Sequence, residues 1–320
     1  MKIIFHENQL SYRGTSLAVY DYAFYNQKIL NNESVIVYNK NNPNNFEAAI
    51  EKFKNKFEVI GYSSVSELEF IVDKVKADLF YAIKYGIKDD IIVSNCKTAM
   101  HTVFKCFEPH GDVYAYVSEW LAKEMTNLEY PFVPHMVHLP IIEGDLRKEL
   151  NIPKKAVVFG RHGGGETFDI EFVKKTIKKY ATKNKEVYFL FLGTDSFVSK
   201  TFFRPYKNII FLPATIDVSY KVRFINTCDA YIHARVQGES FGIAVGEFSI
   251  KNKPVITWSK SEERSHIEIL KEKAILYENK EDLYNVFSNF TVDSSIDYDM
   301  YSKAFSPNTI MNKFKEVFLD

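Results

Sequence analysis

Cysteine is scarce in this chain. Cys96, Cys106 and Cys228 are the only three in 320 residues, and none belongs to a CxxC pair. An odd count without paired spacing argues against a disulfide framework and against a Cys-rich zinc site, and a reduced, cytoplasmic setting is the expectation. Charge of one sign is missing too: Lys+Arg 41 balances Asp+Glu 41. The basic excess of a nucleic-acid-binding protein is therefore absent, and no nucleic-acid partner is expected. Long apolar runs are also lacking. VYFLFLG at 187–193 is among the longest, far short of the ~18 residues that span a bilayer. The opening MKIIF reaches His6 and Glu7 after three apolar residues, too few for a signal-peptide core. Contact with a membrane surface stays open as a partner reading. No HExxH zinc motif and no GxGxxG dinucleotide fingerprint occur.

What is present is ample material for cores. Hydrophobic residues make up 46% of the chain, with 27 Phe and 20 Tyr, and a disordered chain would be poorer in them. At ~150 residues per domain the length suggests two domains. Short apolar runs alternate with amphipathic stretches. Strands are expected at 2–5, 34–38, 58–62, 78–81, 91–94 and 113–117, with helices at 15–30, 45–56, 66–76 and 118–127. The rhythm then restarts, with strands at 156–160, 187–192, 209–212, 230–233, 254–257 and 274–277. Helices are expected there at 168–182, 217–227, 242–251, 262–271 and 281–288. Continuous apolar strands separated by helices read as βαβ units around buried parallel sheets. Pro131, Pro134, Pro140 and Pro153 mark the connection between the halves. The expected domains are 1–141 and 142–320, with an amphipathic C-terminal helix (Ile310, Phe314, Val317, Phe318) free to pack on either. The fold class expected is α/β, two doubly wound domains facing across a cleft at the carboxyl ends of their strands.

The strongest chemical signal runs from Ala234 to Phe248, ARVQGESFGIAVGEF. A strand enters a loop and a helix opens near Phe241. Its first N–H groups and partial positive charge favour an anion, and Gly242 permits close approach of a ligand. Glu239 stands ahead of that point. Glu247 stands within the helix, roughly 7–8 Å further along its axis at 1.5 Å per residue. Two carboxylates flanking a phosphate site suit a nucleotide sugar, with ribose at one end and hexose at the other. Taken singly, each Glu also reads as a solvated surface residue.

Glu239-x7-Glu247, with Phe241-Gly242 between, resembles the E-x7-E signature of retaining GT-B glycosyltransferases, the family 4 group in particular. Asp229-Ala230 before the strand and Lys253-Pro254-Val255-Ile256 after the helix are similar to that group as well. The resemblance implies a GT-B fold of two Rossmann-like domains and transfer of a hexosyl group from a nucleoside-diphosphate sugar to a glycan, lipid or other hydroxyl. It implies that Glu239 contacts the donor sugar, that Glu247 binds the ribose hydroxyls, and that Ser240, Phe241, Gly242 and Ile243 hold the diphosphate. It places a phosphate-binding arginine at Arg161; the backbone donors of Gly163 and Gly164 beside it are expected to compensate for the lysine this chain lacks. Many relatives carry a lysine near position 167, where this chain has Thr. The resemblance puts Gly14, in SYRGTS between the first strand and first helix, near the donor phosphate. It assigns a sugar-contacting histidine to His101, with His110 as the rival. No metal and no cofactor are expected; the nucleotide sugar is a substrate.

Other readings fare worse. Gly160-x4-Gly165 followed by Glu166-Thr167 nearly fits a P-loop, but a Glu in place of the lysine would repel phosphate. Asp297-Tyr298-Asp299 has the form of a metal-binding DxD, yet it lies in the C-terminal tail. A dehydrogenase lacks its glycine fingerprint here, and a phosphorylase would be longer. A non-catalytic nucleotide-sugar-binding protein of the same fold, or a sugar-nucleotide epimerase, remain the alternatives.

Overall fold

In the computed structural model, which describes residues 1–198 and 206–320, the chain divides into two units, 1–136 with 305–320, and 137–304. The chain thus changes unit at Met136, ahead of the expected 141, and its C-terminal segment rejoins the first unit.

In the first unit, β1 (Lys2–Glu7), β2 (Glu33–Asn39), β3 (Glu58–Tyr62), β4 (Leu79–Lys84), β5 (Lys97–Thr102) and β6 (Val113–Tyr116) form one sheet. Its order is β3-β2-β1-β4-β5-β6, with every pairing parallel. Ile3, Ile4 and Phe5 have no exposure on either face, as expected for a parallel sheet covered on both sides. Helices α1 (Gly14–Leu30), α2 (Glu47–Lys54) and α3 (Leu68–Val75) connect the strands, and α4 (Glu119–Thr126) follows β6. Local chemistry sets their ends. Ser64 and Glu67 form a capping box ahead of α3, Ser118 caps α4, and Asn31 closes α1 in the left-handed region at φ 55°.

The second unit repeats the plan. β7 (Val157–His162), β8 (Val187–Leu192), β9 (Ile209–Leu212), β10 (Ala230–Ile232), β12 (Val255–Trp258) and β14 (Ala274–Tyr277) form a parallel sheet in the order β14-β12-β10-β7-β8-β9. Two short strands, β11 (Gly238–Glu239) and β13 (Glu263–Arg264), pair separately. The helices are α5 (Glu171–Lys183), α6 (Val218–Thr227), α7 (Ile243–Ser249), α8 (Ser265–Leu270) and α9 (Lys280–Asn289). The core of this unit is rich in aromatic rings, with Phe159, Phe189, Phe191, Phe287 and Tyr277 buried together among aliphatic side chains. Both sheets run outward from their first strand, the Rossmann-like doubly wound order.

The C-terminal helix α10 (Pro307–Phe314) and the turn after it belong to the first unit. Phe314 lies 5.2 Å from the Tyr81 ring and 5.3 Å from that of Tyr22, while Phe318 lies 5.4 Å from His101. These apolar side chains fill the face of the sheet that α1 leaves open.

One expected strand is misplaced. IIVS at 91–94 is irregular, and the fifth strand is KTAMHT at 97–102. Ile92 is 40% exposed, and Ser94 is fixed instead by hydrogen bonds from its N–H and hydroxyl to Glu69. The buried polar residues of 97–102 find hydrogen-bond partners elsewhere in the fold: Thr98 bonds Asp112, and Thr102 donates to the Tyr85 carbonyl. The Asp297–Asp299 triplet forms a turn, with Asp299 accepting from the N–H groups of Tyr301 and Ser302. Among the described residues, no helix is long and apolar enough to cross a membrane.

Candidate functional site

A doubly wound sheet opens a crevice at the carboxyl ends of its strands where their order reverses. In the second unit that point lies between β7 and β10. β7 delivers Arg161 and His162 there. β10 runs into the loop 233–242 and then into α7.

Arg161 is 3% exposed. Its guanidinium is held by two neutral hydroxyls, Thr194 Oγ1 and Thr167 Oγ1, the latter at 2.6 Å. It also lies over the Phe168 ring at 5.3 Å. Its Nε has no partner among the described residues. Burial lowers its pKa, opposed by the charge of Glu239 among others, but a guanidinium stays charged all the same. A buried cation with only neutral contacts is a poor structural element and a good anion receptor.

Thr167 explains the departure from the usual lysine. A hydroxyl can accept from Arg161 and at the same time donate to the Gly164 carbonyl at 2.9 Å; an ammonium cannot accept. The glycines act differently from expectation. The N–H of Gly163 is used by the Leu192 carbonyl at 3.3 Å, so it is not a phosphate donor here. A Cβ at Gly163 would lie 2.9 Å from Arg161 Nη2 and would push on the guanidinium. Gly164 is exposed and opens the turn that its carbonyl closes with the Thr167 N–H.

Helix α7 begins without a side-chain cap. Gly242, its N-cap, adopts φ 91°, a conformation that favours glycine. The first intrahelical bond runs from Gly246 N–H to the Gly242 carbonyl. The N–H groups of Ile243, Ala244 and Val245 lie ahead of it. Ser240 and Ile243 are half-buried, whereas the Phe241 side chain is a core element against Tyr301, 5.8 Å away.

Glu239 is one-quarter exposed, with its carboxylate between His233 Nε2 at 3.2 Å and Arg235 Nη1 at 3.4 Å. Burial alone would raise its pKa. The hydrogen bond from His233 and the charge of Arg235 are among the contacts that outweigh that and hold it at about 2. Glu247 is 3% exposed and also near 2. Burial is overcome by Lys221 and His162, each through charge and hydrogen bonding. Lys221 bonds one carboxylate oxygen, and His162 Nε2 lies 2.8 Å from the other. A carboxylate has about four acceptor positions, so these contacts leave capacity for hydroxyls. The His162–Glu247 contact ties the end of β7 to α7. The second unit therefore brings together Arg161, Glu239, Glu247 and the α7 start. Lys221, His233, Arg235, Thr194 and His266 join them. His233 ends an apolar strand six residues before Glu239, a spacing that could have flagged it.

The first-unit residues fare differently. His101 sits inside β5, with no exposure, paired across the sheet with Ile83 and Ala115. Its Nδ1 lies 2.6 Å from Tyr81 Oη and its Nε2 2.9 Å from the Val133 carbonyl. Burial lowers its pKa to about 4. This corrects the expectation: the ring holds its own sheet together and offers no open face to a sugar. His110 is likewise engaged, by Lys84 and the Glu108 carbonyl. Gly14 is the exposed first residue of α1, whose N-terminus has no side-chain cap.

Glu7, at the end of β1, is 5% exposed, and burial pushes its pKa up to about 8 against the hydrogen bond of Thr15. Between the ordinary value of 4.5 and about 8, the folded chain holds a proton that the unfolded chain has released. Stability therefore falls as pH rises through that window. Glu7→Gln, which mimics the protonated form, is expected to leave Tm unchanged at pH 4, below both values. At pH 8 it should raise Tm by several degrees, for a stability gain of up to ~4 kcal/mol at 1.36 kcal/mol per pKa unit. An equal change at both pH values in thermal unfolding would contradict the buried, protonated assignment.

Among the described residues, no group of three or more His, Cys, Asp or Glu is arranged to hold a metal ion.

The architecture is that of the GT-B glycosyltransferases, with two Rossmann-like domains each built on a parallel six-stranded sheet. Over 99% of its length the chain is similar to HepE of Anabaena solved with UDP-glucose, covering 98% of that chain at 14% identity and a TM-score of 0.73. It is similar to a glycosyltransferase of Rickettsia africae over 99% of this chain and 97% of that one, at 13% identity and a TM-score of 0.69. It also matches WaaG, a glycosyltransferase involved in lipopolysaccharide biosynthesis, over 99% of this chain and 100% of that one, at 11% identity and a TM-score of 0.65. No protein-family model and no curated protein matches the sequence. At these identities the likeness is one of fold.

Proposed function

We propose that the protein is a glycosyltransferase, retaining in its stereochemistry, that moves a hexosyl group from a nucleoside-diphosphate sugar to a hydroxyl of a glycan or lipid-linked acceptor. The observation that carries the reading is Arg161: a buried guanidinium with neutral partners at the point where the second sheet's order reverses, on the unit that also holds Glu239 and the uncapped start of α7. HepE bound to UDP-glucose and to UDP, and MnaA of S. aureus bound to UDP, support a uridine nucleotide as the first donor to try.

The diphosphate docks on Arg161 and the N–H groups of Ile243 to Val245. Glu247, steadied by Lys221 and His162, accepts from the ribose hydroxyls. Glu239 faces the sugar. As the bond from C1 to the phosphate oxygen breaks, negative charge collects on the diphosphate, where fixed donors stabilise it. Positive charge develops on the sugar near the ionised Glu239. The acceptor oxygen forms its bond to C1 on the same face, and its proton passes to the departing phosphate oxygen. Arg161 and the amides do the work of charge neutralisation, so the proposed chemistry needs no divalent cation.

A panel of nucleotide sugars and NAD, read by thermal shift and followed by transfer assays, tests the reading. A Tm rise of several degrees with one UDP- or GDP-sugar is expected, and turnover with an acceptor should give a product whose anomeric configuration matches the donor. A shift with NAD alone would favour a dehydrogenase. Binding without turnover would favour a binding protein, and an inverted product would refute retention.

A further inference from the structure

Glu239 ends a chain of buried polar groups that the proposed chemistry has not used. Its Oε1 lies 3.2 Å from His233 Nε2. His233 Nδ1 lies 3.0 Å from Thr257 Oγ1, and the same oxygen lies 2.9 Å from His266 Nε2. Thr257 and His266 have no exposure and His233 has 1%. The two rings are 4.6 Å apart. The Tyr277 hydroxyl donates to the His233 carbonyl at 2.8 Å and fixes its backbone. The chain joins the loop after β10, β11, β12 and α8.

Chemistry gives this chain a direction. An ionised carboxylate only accepts, so His233 Nε2 donates to Glu239. With both rings neutral each has one N–H, so His233 Nδ1 accepts, and the Thr257 hydroxyl must donate to it. That hydroxyl has one proton. Its oxygen can then only accept from His266, whose Nε2 donates. Every proton points toward Glu239, and bonds aligned in this way polarise one another. The charged groups around the chain agree with that polarity: Arg235 faces Glu239, Arg264 bears on His266, and Arg161 feels the Glu239 carboxylate.

We propose that His233, Thr257 and His266 are positioning residues for sugar transfer, forming a one-way hydrogen-bond relay that fixes the carboxylate of Glu239 in a single orientation. The inference rests on the reading that Glu239 meets the donor sugar. A relay of this kind acts on the reacting geometry more than on donor affinity, which separates it from a merely structural network.

Thr257→Val keeps the shape of the side chain and removes its hydroxyl; Thr257→Ser keeps the hydroxyl. With the donor found by the panel, the Val variant is expected to lose about 10- to 100-fold in kcat with donor KM within about threefold. The Ser variant should return kcat to within about threefold of wild type. A folded Val variant with wild-type kcat, or one changed only in KM, would overturn the relay, as would a Ser variant no better than Val. A second measurement needs no turnover and no variant that folds poorly: ¹⁵N NMR of the imidazoles in the wild-type chain at pH 8. Both His233 and His266 are expected to carry their proton on Nε2, and a proton on Nδ1 of either ring would overturn the direction assigned. Absence of transfer by wild-type protein with every donor would defeat the functional reading, while the tautomers would still decide whether the relay exists.

Discussion

Glu239→Gln is expected to lower kcat by about 10²- to 10³-fold, the range found when one preorganised electrostatic group is removed from a transition state, while moving Tm by only a few degrees. The amide has nearly the size of the carboxylate, so packing changes little. What changes is charge and hydrogen-bond sense. The carboxylate accepts from both His233 and Arg235. An amide has one accepting end, so its NH₂ must face one of these donors. The developing positive charge on the sugar then loses its nearest anion. The held-down pKa of about 2 adds a condition. Glu239 is ionised throughout pH 5–8, so kcat should show no acid limb from its protonation in that range. Steady-state kinetics across pH, beside thermal unfolding of both proteins, decides the matter. A folded Gln variant turning over within threefold of wild type would remove Glu239 from the reacting centre.

Much of this site was legible in the sequence because its parts are local. A strand, a loop and a helix carry Glu239, Gly242 and Glu247 within nine consecutive residues, and the strand-end Gly160-Arg161 lies in an apolar run that could only be a buried strand. The failures have a shared cause. IIVS looks more like a strand than KTAMHT by composition, because burial of Thr98, His101 and Thr102 depends on partners elsewhere in the fold: Asp112, Tyr81 and the Tyr85 carbonyl. A strand at 91–94 puts His101 in a loop beyond it and so at an apparent site, whereas His101 lies inside β5, in the core. The same blindness to distant partners hid Lys221 and His266, which reach the site from α6 and α8. It also hid the reason for Thr167, legible only once Arg161 and the Gly164 carbonyl are seen on either side of its hydroxyl.

Arg161→Met should separate binding from stability more sharply than any other substitution in the molecule. In the unliganded chain the arginine is a liability: its charge is 3% exposed, its contacts are hydroxyls, and its Nε is unpartnered. Replacing buried ionic groups by hydrophobic residues of similar volume is often neutral or stabilising by ~1–4 kcal/mol. Methionine keeps the length of the stem and a favourable contact with the Phe168 ring. Thr167 retains the Gly164 carbonyl, and Thr194 loses its bond at a cost of about 1 kcal/mol. Tm without ligand should therefore hold steady or rise by a few degrees. Nucleoside-diphosphate binding should suffer the opposite change. Charge-assisted hydrogen bonds are worth about 1.5–3 kcal/mol each, so titration calorimetry with UDP should show Kd raised roughly 100-fold, or about 2.7 kcal/mol. Ligand at one hundred times the wild-type Kd stabilises the wild-type fold by about 2.7 kcal/mol; at the same concentration the variant should gain only a few tenths. An arginine kept for packing would give the reverse pair of results, a lowered Tm and an unchanged Kd, and would leave the anion site without its buried charge.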